Sequence, residues 1–375
     1  MIKLKSGDIM IYLDYSATTK VDKKVLERFN YITDNYFANP NSKHKLGLKS
    51  KSIIDEAEKR INKVLNLEDK EIIFTSGASE SNNLVMKGLL KEKKHIITTS
   101  LEHSSILSPV GYLQKQGYKI SFAKLDEYGR VDIKALEEML TSDTFLVSIT
   151  AVNSETGIKQ PLEEIKKVLK KYPNIIFHSD ITQLIGKEKI DLKDIDLVSF
   201  SGHKIYTFKG IGCLIKNKDL KLTPLIHGGK STTIYRSGTP QTELIDSISY
   251  ALELSYIDLN KKQEHVKELN NYLKENLKKY KNIVINSNKY SIPNILNLSI
   301  LNKESDETLE YFSNKEIYIS TKTACSSDNK MSLTIYNLTK DEKRATSSIR
   351  ISISYKTTKE EIDTFLKELD NYIGE

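Results

Sequence analysis

The chain has 375 residues, of which 38% are hydrophobic and 29% charged, and its formal net charge at pH 7 is +7. This length suffices for a large hydrophobic core and favours two domains. No window reaches the roughly 18 uninterrupted apolar residues of a membrane span, and no dense basic tract is interleaved with aromatic residues. We therefore expect neither a membrane partner nor direct binding to nucleic acid.

The first two thirds of the chain alternate short apolar runs with amphipathic stretches. The N-terminal stretch MIKLKSGDIMIYLDYS lacks the apolar core of a signal peptide, so we expect a cytoplasmic protein. Strand-like runs follow from about residue 71: EIIFTSG, HIITTS, KISFAKL, TFLVSITAVN, NIIFHSD, DLVSFSG and GIGCLIK. Helix-like stretches between them include SESNNLVMKGLLK, HSSILSPVGYLQKQG and PLEEIKKVLKKY. This alternation predicts an α/β fold with a mostly parallel central sheet covered by helices.

The pattern changes near residue 257. A long charged helix, LNKKQEHVKELNNYLKENLKKY, precedes the apolar runs NIVINS, NILNLSI and SSIRISIS and a final helix, TKEEIDTFLKELDNYI. These elements predict a smaller α+β domain. The segment 323–348 is rich in Asn, Lys and Ser, and we expect a long mobile loop there. The expected division is a large domain over 13–257 and a small domain formed by 1–12 and 258–375.

Polar residues follow several predicted strands, at the edge of the sheet where α/β proteins bind ligands. After EIIF, the turn TSGASESNN opens a helix. Its free backbone N–H groups and the Ser79 hydroxyl could bind an anion such as a phosphate. The alternative is an ordinary strand-to-helix turn with a serine N-cap.

Two further residues with alternative roles follow strands. Asp180 comes directly after NIIFHS, and Gln183 lies one turn later. A buried carboxylate needs a cation or a hydrogen-bond donor, and the protonated ring nitrogen of a cofactor is one such partner. The alternative is an aspartate that caps the next helix. His103 in LEHSS is either structural or a residue that stacks on a flat cofactor or transfers a proton.

Lys204, in SFSGHKIY, lies at a turn after a strand, where a chain presents groups to a ligand. A lysine amine can form a Schiff base with a carbonyl cofactor and can later act as a base. Pyridoxal phosphate requires such a lysine, a phosphate site and an acid for its pyridinium nitrogen. Their order along one α/β pattern indicates a site for pyridoxal phosphate.

The chain contains two cysteines, Cys213 and Cys325, with no CxxC motif and no spacing typical of metal ligands. We therefore expect no disulfide, no metal site and a reducing compartment. Cys213 lies within the apolar run GIGCLIK and is expected in the core. Cys325, in KTACSSDNK, is either an incidental exposed thiol or a nucleophile in accessible, polar surroundings.

The sequence resembles the NifS/IscS-like cysteine desulfurases, in the class V aminotransferase group of fold-type I pyridoxal-phosphate enzymes. The resemblance covers nearly the whole chain, through IYLDYSATT, NPNSKHKLG, TSGASESNN, LEHSS, VNSETGIKQP, FHSDITQLIGK, SFSGHKIY, KGIG, HGG, YRSGT, TACSS, SSIRIS and TTKEEID. It implies a homodimer that converts L-cysteine into L-alanine. The sulfur would pass through a persulfide to an acceptor protein, for iron–sulfur cluster assembly or tRNA thiolation.

The resemblance also implies roles for individual residues. Lys204 would bind the cofactor covalently, Asp180 would pair with its ring nitrogen, and His103 would stack on the ring. Cys325 would be the nucleophile that carries the persulfide. The other implied cofactor contacts are Ala78, Ser79, Asn153, Ser154, Gln183, Ser201, His203 and, from the neighbouring subunit, Thr239.

The substrate carboxylate would be bound by Arg350, whose guanidinium suits two parallel hydrogen bonds, with help from Asn41. The chain departs from the family pattern at Ser154, where the family usually has asparagine. It also departs at 207–208, 230–233 and 352–356. The resemblance implies that these changes affect the substrate entrance and the dimer surface more than the central set of Lys204, Asp180, His103, Gln183, Cys325 and Arg350.

Two alternatives stay open. The first is another reaction on the same cofactor, as in an aminotransferase or a selenocysteine or cysteine lyase, although transamination has no use for the Cys325 thiol. The second is a non-catalytic dimeric scaffold, which has no need of the Lys204 amine.

Overall fold

The structure, a computed structural model, describes residues 2–3, 9–67, 69–89, 94–321 and 331–374. Cys325 lies outside these ranges, and every expectation about it stays a prediction. Within the described ranges, no helix combines the length and the apolar character needed to cross a lipid bilayer.

The strands and helices alternate along the chain much as the sequence predicts. The strands are β1 (Ile2–Lys3), β2 (Ile9–Tyr12), β3 (Lys70–Thr75), β4 (His95–Thr98), β5 (Lys119–Phe122), β6 (Thr144–Ser148), β7 (Ile176–Asp180), β8 (Leu197–Ser201), β9 (Gly212–Asn217), β10 (Ile283–Ile285), β11 (Ile295–Ile300), β12 (Ile317–Tyr318) and β13 (Ser348–Ser352). The helices are α1 (Lys23–Asn35), α2 (Lys45–Leu65), α3 (Ala78–Gly88), α4 (Ser104–Lys115), α5 (Ile133–Met139), α6 (Leu162–Leu169), α7 (Thr242–Tyr256), α8 (Leu259–Leu277), α9 (Ser305–Asn314), α10 (Leu333–Thr339), α11 (Glu342–Thr346) and α12 (Lys359–Gly374).

A large sheet lies at the centre of the first two thirds of the chain. In the described part of the chain its strand order is β3-β9-β8-β7-β6-β4-β5. Strand β9 runs antiparallel to both neighbours, and the other pairs are parallel. Strands β6, β7 and β8 are buried along their whole length, as expected when helices cover both faces. The predicted α/β fold with a mostly parallel sheet is confirmed.

A second core lies in the C-terminal part of the chain. Strands β10, β11 and β13 form an antiparallel sheet in the order β10-β11-β13. Residues of α8, α9 and α12, such as Leu273, Phe312 and Phe365, pack with residues of this sheet. Ile11 and Leu13, from the beginning of the chain, belong to the same core. These elements give the expected smaller α+β unit, whereas the exact domain boundaries stay a prediction.

Within the segment 323–348, the described residues 331–348 differ from the long loop that we expected. Residues 333–339 and 342–346 are helical, and Ser348 begins strand β13. Each short helix has a side-chain cap: Ser332 Oγ accepts from Ile335 N at 3.1 Å, and Asp341 Oδ1 accepts from Arg344 N at 3.1 Å. Such caps satisfy N–H groups that a helix leaves free at its start. The composition favoured a loop because it carries no information about these capping hydrogen bonds.

A buried carboxylate joins three helices of the large unit. Asp246 on α7 is fully buried and accepts from Arg28 Nε of α1 at 2.5 Å and from Arg28 Nη2 at 2.9 Å. Arg60 of α2 donates from Nη1 to the same carboxylate at 3.2 Å and to Ser249 Oγ at 2.6 Å. Since a buried charge requires such partners, this network fixes α1 and α2 against α7.

We expect Asp246→Ala to lower the free energy of unfolding by about 3 kcal/mol, because two arginines lose their shared partner. Urea denaturation of the purified protein measures this change. Glu253→Ala is the matched control, because Glu253 contacts Arg60 Nε at 3.5 Å but its side chain is 41% exposed. The control should change the unfolding free energy by less than about 1 kcal/mol. An equal loss of unfolding free energy in both variants would show that the buried carboxylate stabilises the fold no more than the exposed one.

Candidate active site

A cavity of about 280 Å³ lies at the carboxyl ends of the parallel strands. Most of the residues predicted for the site line it, although they come from distant parts of the sequence. These lining residues are Ala78, Ser79, His103, Ser154, Asp180, Gln183, Ser201, His203, Lys204 and Arg350. The cavity is also lined by Ser16, Ala17, Leu101, Ser105, Thr150, Val152 and Thr182. The predicted set is thus largely brought together, and the roles of its members stay predictions.

One wall of the cavity is the beginning of helix α3. Ala78 N donates to Ser201 Oγ at 2.7 Å, which joins this turn to the end of β8. Gly77 has φ +155°, a conformation that residues with a Cβ rarely adopt. A Cβ on Gly212 would lie 2.6 Å from Gly77 Cα, so β9 and the turn pack backbone to backbone. The positive end of α3 therefore faces the cavity beside small hydroxyl residues, as an anion site requires.

Asp180 ends strand β7 and is only 5% exposed. Thr182 N donates to its Oδ1 at 2.9 Å, and Asn82 Nδ2 donates to its Oδ2 at 2.8 Å. Sequence reasoning missed Asn82, although it lies four residues after Ala78 and so on the same side of α3. The carboxylate is thus buried at the cavity with a donor on each oxygen.

His103 is the N-cap of helix α4. Its Nδ1 accepts from Ser105 N at 3.1 Å and lies 2.8 Å from Ser105 Oγ. Burial lowers the pKa of His103, and the nearby charge of Lys204 acts in the same direction although Asp180 opposes it. Because Nδ1 accepts a backbone N–H, the neutral ring carries its proton on Nε2.

Lys204 ends a short 3-10 helix over Gly202–Lys204, directly after strand β8. Its amine donates to the carbonyl oxygens of Ser16 at 2.5 Å and Ala17 at 2.6 Å. Gln183 Nε2 also donates to Ser16 O, at 3.0 Å, and Lys187 Nζ donates to Gln183 Oε1 at 2.8 Å. Burial lowers the pKa of Lys187 to about 7, with help from the positive charges of Lys204 and Arg350.

His203, beside Lys204, has its Nδ1 at 3.2 Å from Thr18 Oγ1. Burial lowers the pKa of His203 to about 4, and the charges of Lys204 and Lys209 add to this shift. The ring is therefore neutral at pH 7, so it offers an anion a hydrogen bond without a full charge.

Arg350 on β13 reaches the cavity from the second core and is only 2% exposed. Its Nη1 donates to Ser154 O at 2.9 Å, and its Nη2 donates to Asp14 Oδ1 at 2.6 Å. Among the described residues, its Nε has no hydrogen-bond partner. A buried guanidinium with a free N–H suits a ligand carboxylate.

Three predicted site residues lie elsewhere. Asn153 does not line this cavity: its Oδ1 accepts from Thr156 N at 2.8 Å, and its Nδ2 donates to Leu101 O at 2.9 Å. Its amide thus closes a turn, and the neighbouring Ser154 reaches the cavity instead. Asn41 and Thr239 are exposed and do not line it either. Asn41 Nδ2 instead donates to Ser231 Oγ at 3.1 Å.

Cys213 was expected in the core, and the structure confirms this. The residue is fully buried in β9, and burial raises the pKa of its thiol well above the ordinary value. A thiol kept protonated in this way is a poor nucleophile.

Glu102, beside His103, is a buried acid that sequence reasoning missed. It is 6% exposed; Thr99 Oγ1 donates to its Oε1 at 2.8 Å, and Thr150 N donates to the same oxygen at 3.0 Å. Burial raises its pKa to about 8, because the two hydrogen bonds only partly offset the cost of desolvating the charge.

Glu102 therefore predicts a pH-dependent stability. The folded chain keeps this proton up to about pH 8, whereas an unfolded glutamate releases it near pH 4.5, so stability falls as the pH rises between these values. In Glu102→Gln this loss of stability should be absent. The free energy of unfolding of the variant should therefore rise relative to that of the parent by up to about 1.4 kcal/mol per pH unit in this window.

Urea denaturation across the same window measures the effect. Glu27→Gln is the control, because the Glu27 side chain is 64% exposed and lies 3.9 Å from Lys23 Nζ. A difference between Glu102→Gln and the parent that stays constant with pH would refute this account.

Comparisons with known proteins show the family of the chain. The model of the aminotransferase class-V family matches residues 11–365. The cysteine desulfurase IscS of Rickettsia prowazekii (strain Madrid E) is 38% identical over 96% of this chain and 90% of its own. The cysteine desulfurase IscS of Dictyoglomus turgidum is 35% identical over 97% of this chain and 94% of its own.

Solved structures give the same result. A NifS-like protein superposes with a TM-score of 0.92 at 33% identity, covering 98% of this chain and 100% of its own. A NifS-like protein from Rickettsia africae gives a TM-score of 0.89 at 31% identity, with the same coverage of both chains. The chain therefore belongs to the aminotransferase class-V family, among the NifS/IscS-like cysteine desulfurases.

Proposed function

We propose that this protein is a pyridoxal-phosphate-dependent cysteine desulfurase that releases L-alanine from L-cysteine and collects the sulfur on Cys325. The observation that carries the proposal is the convergence of Lys204, Asp180 and Arg350 on one cavity at the beginning of α3. The relatives that match nearly the whole chain support the same reaction.

The donor set of the cavity fits pyridoxal phosphate. The start of α3, with Ala78 N and the nearby hydroxyls of Ser79 and Ser201, suits the phosphate group. His203 adds a neutral ring at the same wall, as found above. Across the cavity, the buried carboxylate of Asp180 suits a protonated ring nitrogen.

The remaining cofactor contacts follow from their places around the cavity. His103 would lie against the ring face, with its proton on Nε2. Gln183 would donate from Nε2 to the phenolic oxygen of the cofactor, since its Oε1 already accepts from Lys187 Nζ. Lys204 would hold the aldehyde carbon. Bound there, pyridoxal phosphate would supply an electron sink for the negative charge that develops at the substrate Cα.

The residues of the chain would then share the reaction. Arg350 binds the substrate carboxylate, and its burial strengthens this interaction. Lys204 accepts the Cα proton and returns a proton during the reaction. The Cys325 thiolate attacks the substrate sulfur: a new S–S bond forms and the Cβ–S bond breaks. The electron pair stays on the carbon side, and the carbon is protonated to the methyl group of alanine.

We assign Cys325 to this step from the TACSS motif alone. The residue lies outside the part of the chain that the structure describes. The persulfide would pass to an acceptor protein, for iron–sulfur cluster assembly or tRNA thiolation, in the cytoplasm. We also propose a homodimer in which Thr239 reaches the cofactor phosphate of the neighbouring subunit. The exposure of Thr239, away from the cavity of its own chain, supports this assignment.

We expect Cys325→Ala to keep the visible absorbance of the bound cofactor and to lose sulfide release by at least about two orders of magnitude. The assay contains purified protein, L-cysteine and a reductant, and it measures sulfide and alanine. Cys213→Ala is the control, because it removes the buried thiol and should release sulfide like the parent. If Cys325→Ala desulfurates as fast as the parent, the assignment is wrong and a lyase reaction is favoured.

Lys204→Ala should lose the visible absorbance of the lysine-bound cofactor. Reduction of the parent with borohydride should leave the cofactor on the peptide that contains Lys204, which mass spectrometry identifies. Lys209→Ala, at an exposed lysine on the same loop, should behave like the parent. A parent without bound cofactor would favour the non-catalytic scaffold, and labelling at another lysine would contradict the role of Lys204.

A further inference from the structure

We propose that Asn82 is a positioning residue that holds both Asp180 and His103 in the orientation their ligand requires. The proposal rests on the proposed function and adds a residue to which the sequence analysis assigned no role, although the motif TSGASESNN contains it. Asn82 is fully buried on α3. Its Nδ2 donates to Asp180 Oδ2 at 2.8 Å and to Ser105 Oγ at 2.9 Å. One amide group therefore serves two elements of the cavity wall.

The orientation of this amide is fixed from the opposite side. Ser199 on β8 donates a short hydrogen bond from Oγ to Asn82 Oδ1. Ser199 Oγ lies 3.0 Å from His178 Nε2, and His178 Nδ1 lies 2.8 Å from Ser148 Oγ. All of these residues are fully buried. A flipped amide would place an acceptor against the Asp180 carboxylate, which a buried site does not tolerate.

The hydrogen bonds that link Ser148 to Asp180 all run in one direction. Ser199 donates its proton to Asn82, so its oxygen accepts from His178 Nε2–H. The neutral His178 ring then accepts on Nδ1 from the Ser148 hydroxyl. The donors run from Ser148 through His178, Ser199 and Asn82, and the last acceptor is Asp180. Each bond in such a chain polarises the next, so the arrangement stabilises the carboxylate at its end.

A second arm leads from Asn82 to His103. Ser105 Oγ accepts from Asn82, so the hydroxyl proton of Ser105 points to His103 Nδ1 at 2.8 Å. Together with Ser105 N, this contact makes Nδ1 an acceptor and leaves the ring proton on Nε2. Asn82 thus orders two residues of the cavity lining: Asp180, which would pair with the ring nitrogen of the cofactor, and His103, which would lie against its ring.

Two substitutions at Asn82 separate positioning from packing. Asn82→Leu removes both donors at nearly the same size, and Asn82→Asp keeps the shape but places a second carboxylate beside Asp180. The new carboxylate would put an acceptor where Asp180 now has a donor, and the two like charges would repel each other. We expect the dissociation constant for pyridoxal phosphate to rise about tenfold in Asn82→Leu and further in Asn82→Asp. A packing role predicts the reverse order, because aspartate preserves the shape.

The readout is the dissociation constant for pyridoxal phosphate, measured by absorbance titration of protein freed of cofactor, with circular dichroism to check folding. Asn83→Leu is the control and should bind like the parent, because Asn83 Nδ2 donates to Ser79 O within its own helix at 2.9 Å and Asn83 does not line the cavity. Ser199→Ala removes the donor that fixes the amide without altering Asn82 or the cavity lining, and should weaken binding about threefold or more. It keeps the test valid if Asn82→Leu does not fold.

The outcomes distinguish the two proposals. A parent that does not bind pyridoxal phosphate overturns the proposed function. A parent that binds it, together with Asn82 and Ser199 variants that bind equally well, overturns the positioning role alone. A smaller effect in Asn82→Asp than in Asn82→Leu also overturns it.

Discussion

The burial of one carboxylate, Asp180, organises the site. A charge at a buried strand end requires donors around it, and two different elements supply them here: Thr182 N from its own turn and Asn82 from α3. Because β7 and β8 pair in parallel with Asp180 opposite Ser199, the residues after β8 lie beside the same carboxylate. The lysine of the next turn, Lys204, is therefore placed near Asp180 by sheet register, although the two are distant in sequence.

The second core completes the cavity with two short segments. The segment after β2 supplies the carbonyl oxygen of Ser16, which accepts from both Lys204 and Gln183. Its Asp14 carboxylate accepts from Arg350, which comes from β13. Arg350 thus has a compensating charge before any ligand arrives, which makes the burial of the guanidinium tolerable. The site lies where the two cores meet, and neither core forms it alone.

The sequence predicted those parts of the site that depend on strand ends. Lys204 and Asp180 were found because apolar runs mark strands and polar residues after them lie at one edge of a parallel sheet. The hydrogen-bond partners were not found, because an asparagine on a helix, such as Asn82, has no pattern that distinguishes it from a solvated one. Asn153 could not be placed from the sequence for the same reason. Its amide bonds to backbone atoms of a turn, and these bonds are visible only in the folded structure. The helices at 333–346 were missed because their caps outweigh a polar composition.

The positions that depart from the family pattern make contacts that leave the main groups of the site in place. At Ser154, the contact to Arg350 uses the backbone oxygen, so it does not depend on the side chain at that position. A shorter side chain there leaves the arginine in place and changes only the lining of the cavity. At 207–208, the ring of Phe208 packs against that of Phe29, with 4.3 Å between the ring centroids. At 352–356, Lys356 Nζ lies 3.0 Å from Asp22 Oδ2. The changes at Phe208 and Lys356 are accommodated by contacts outside the cavity, because neither residue lines it.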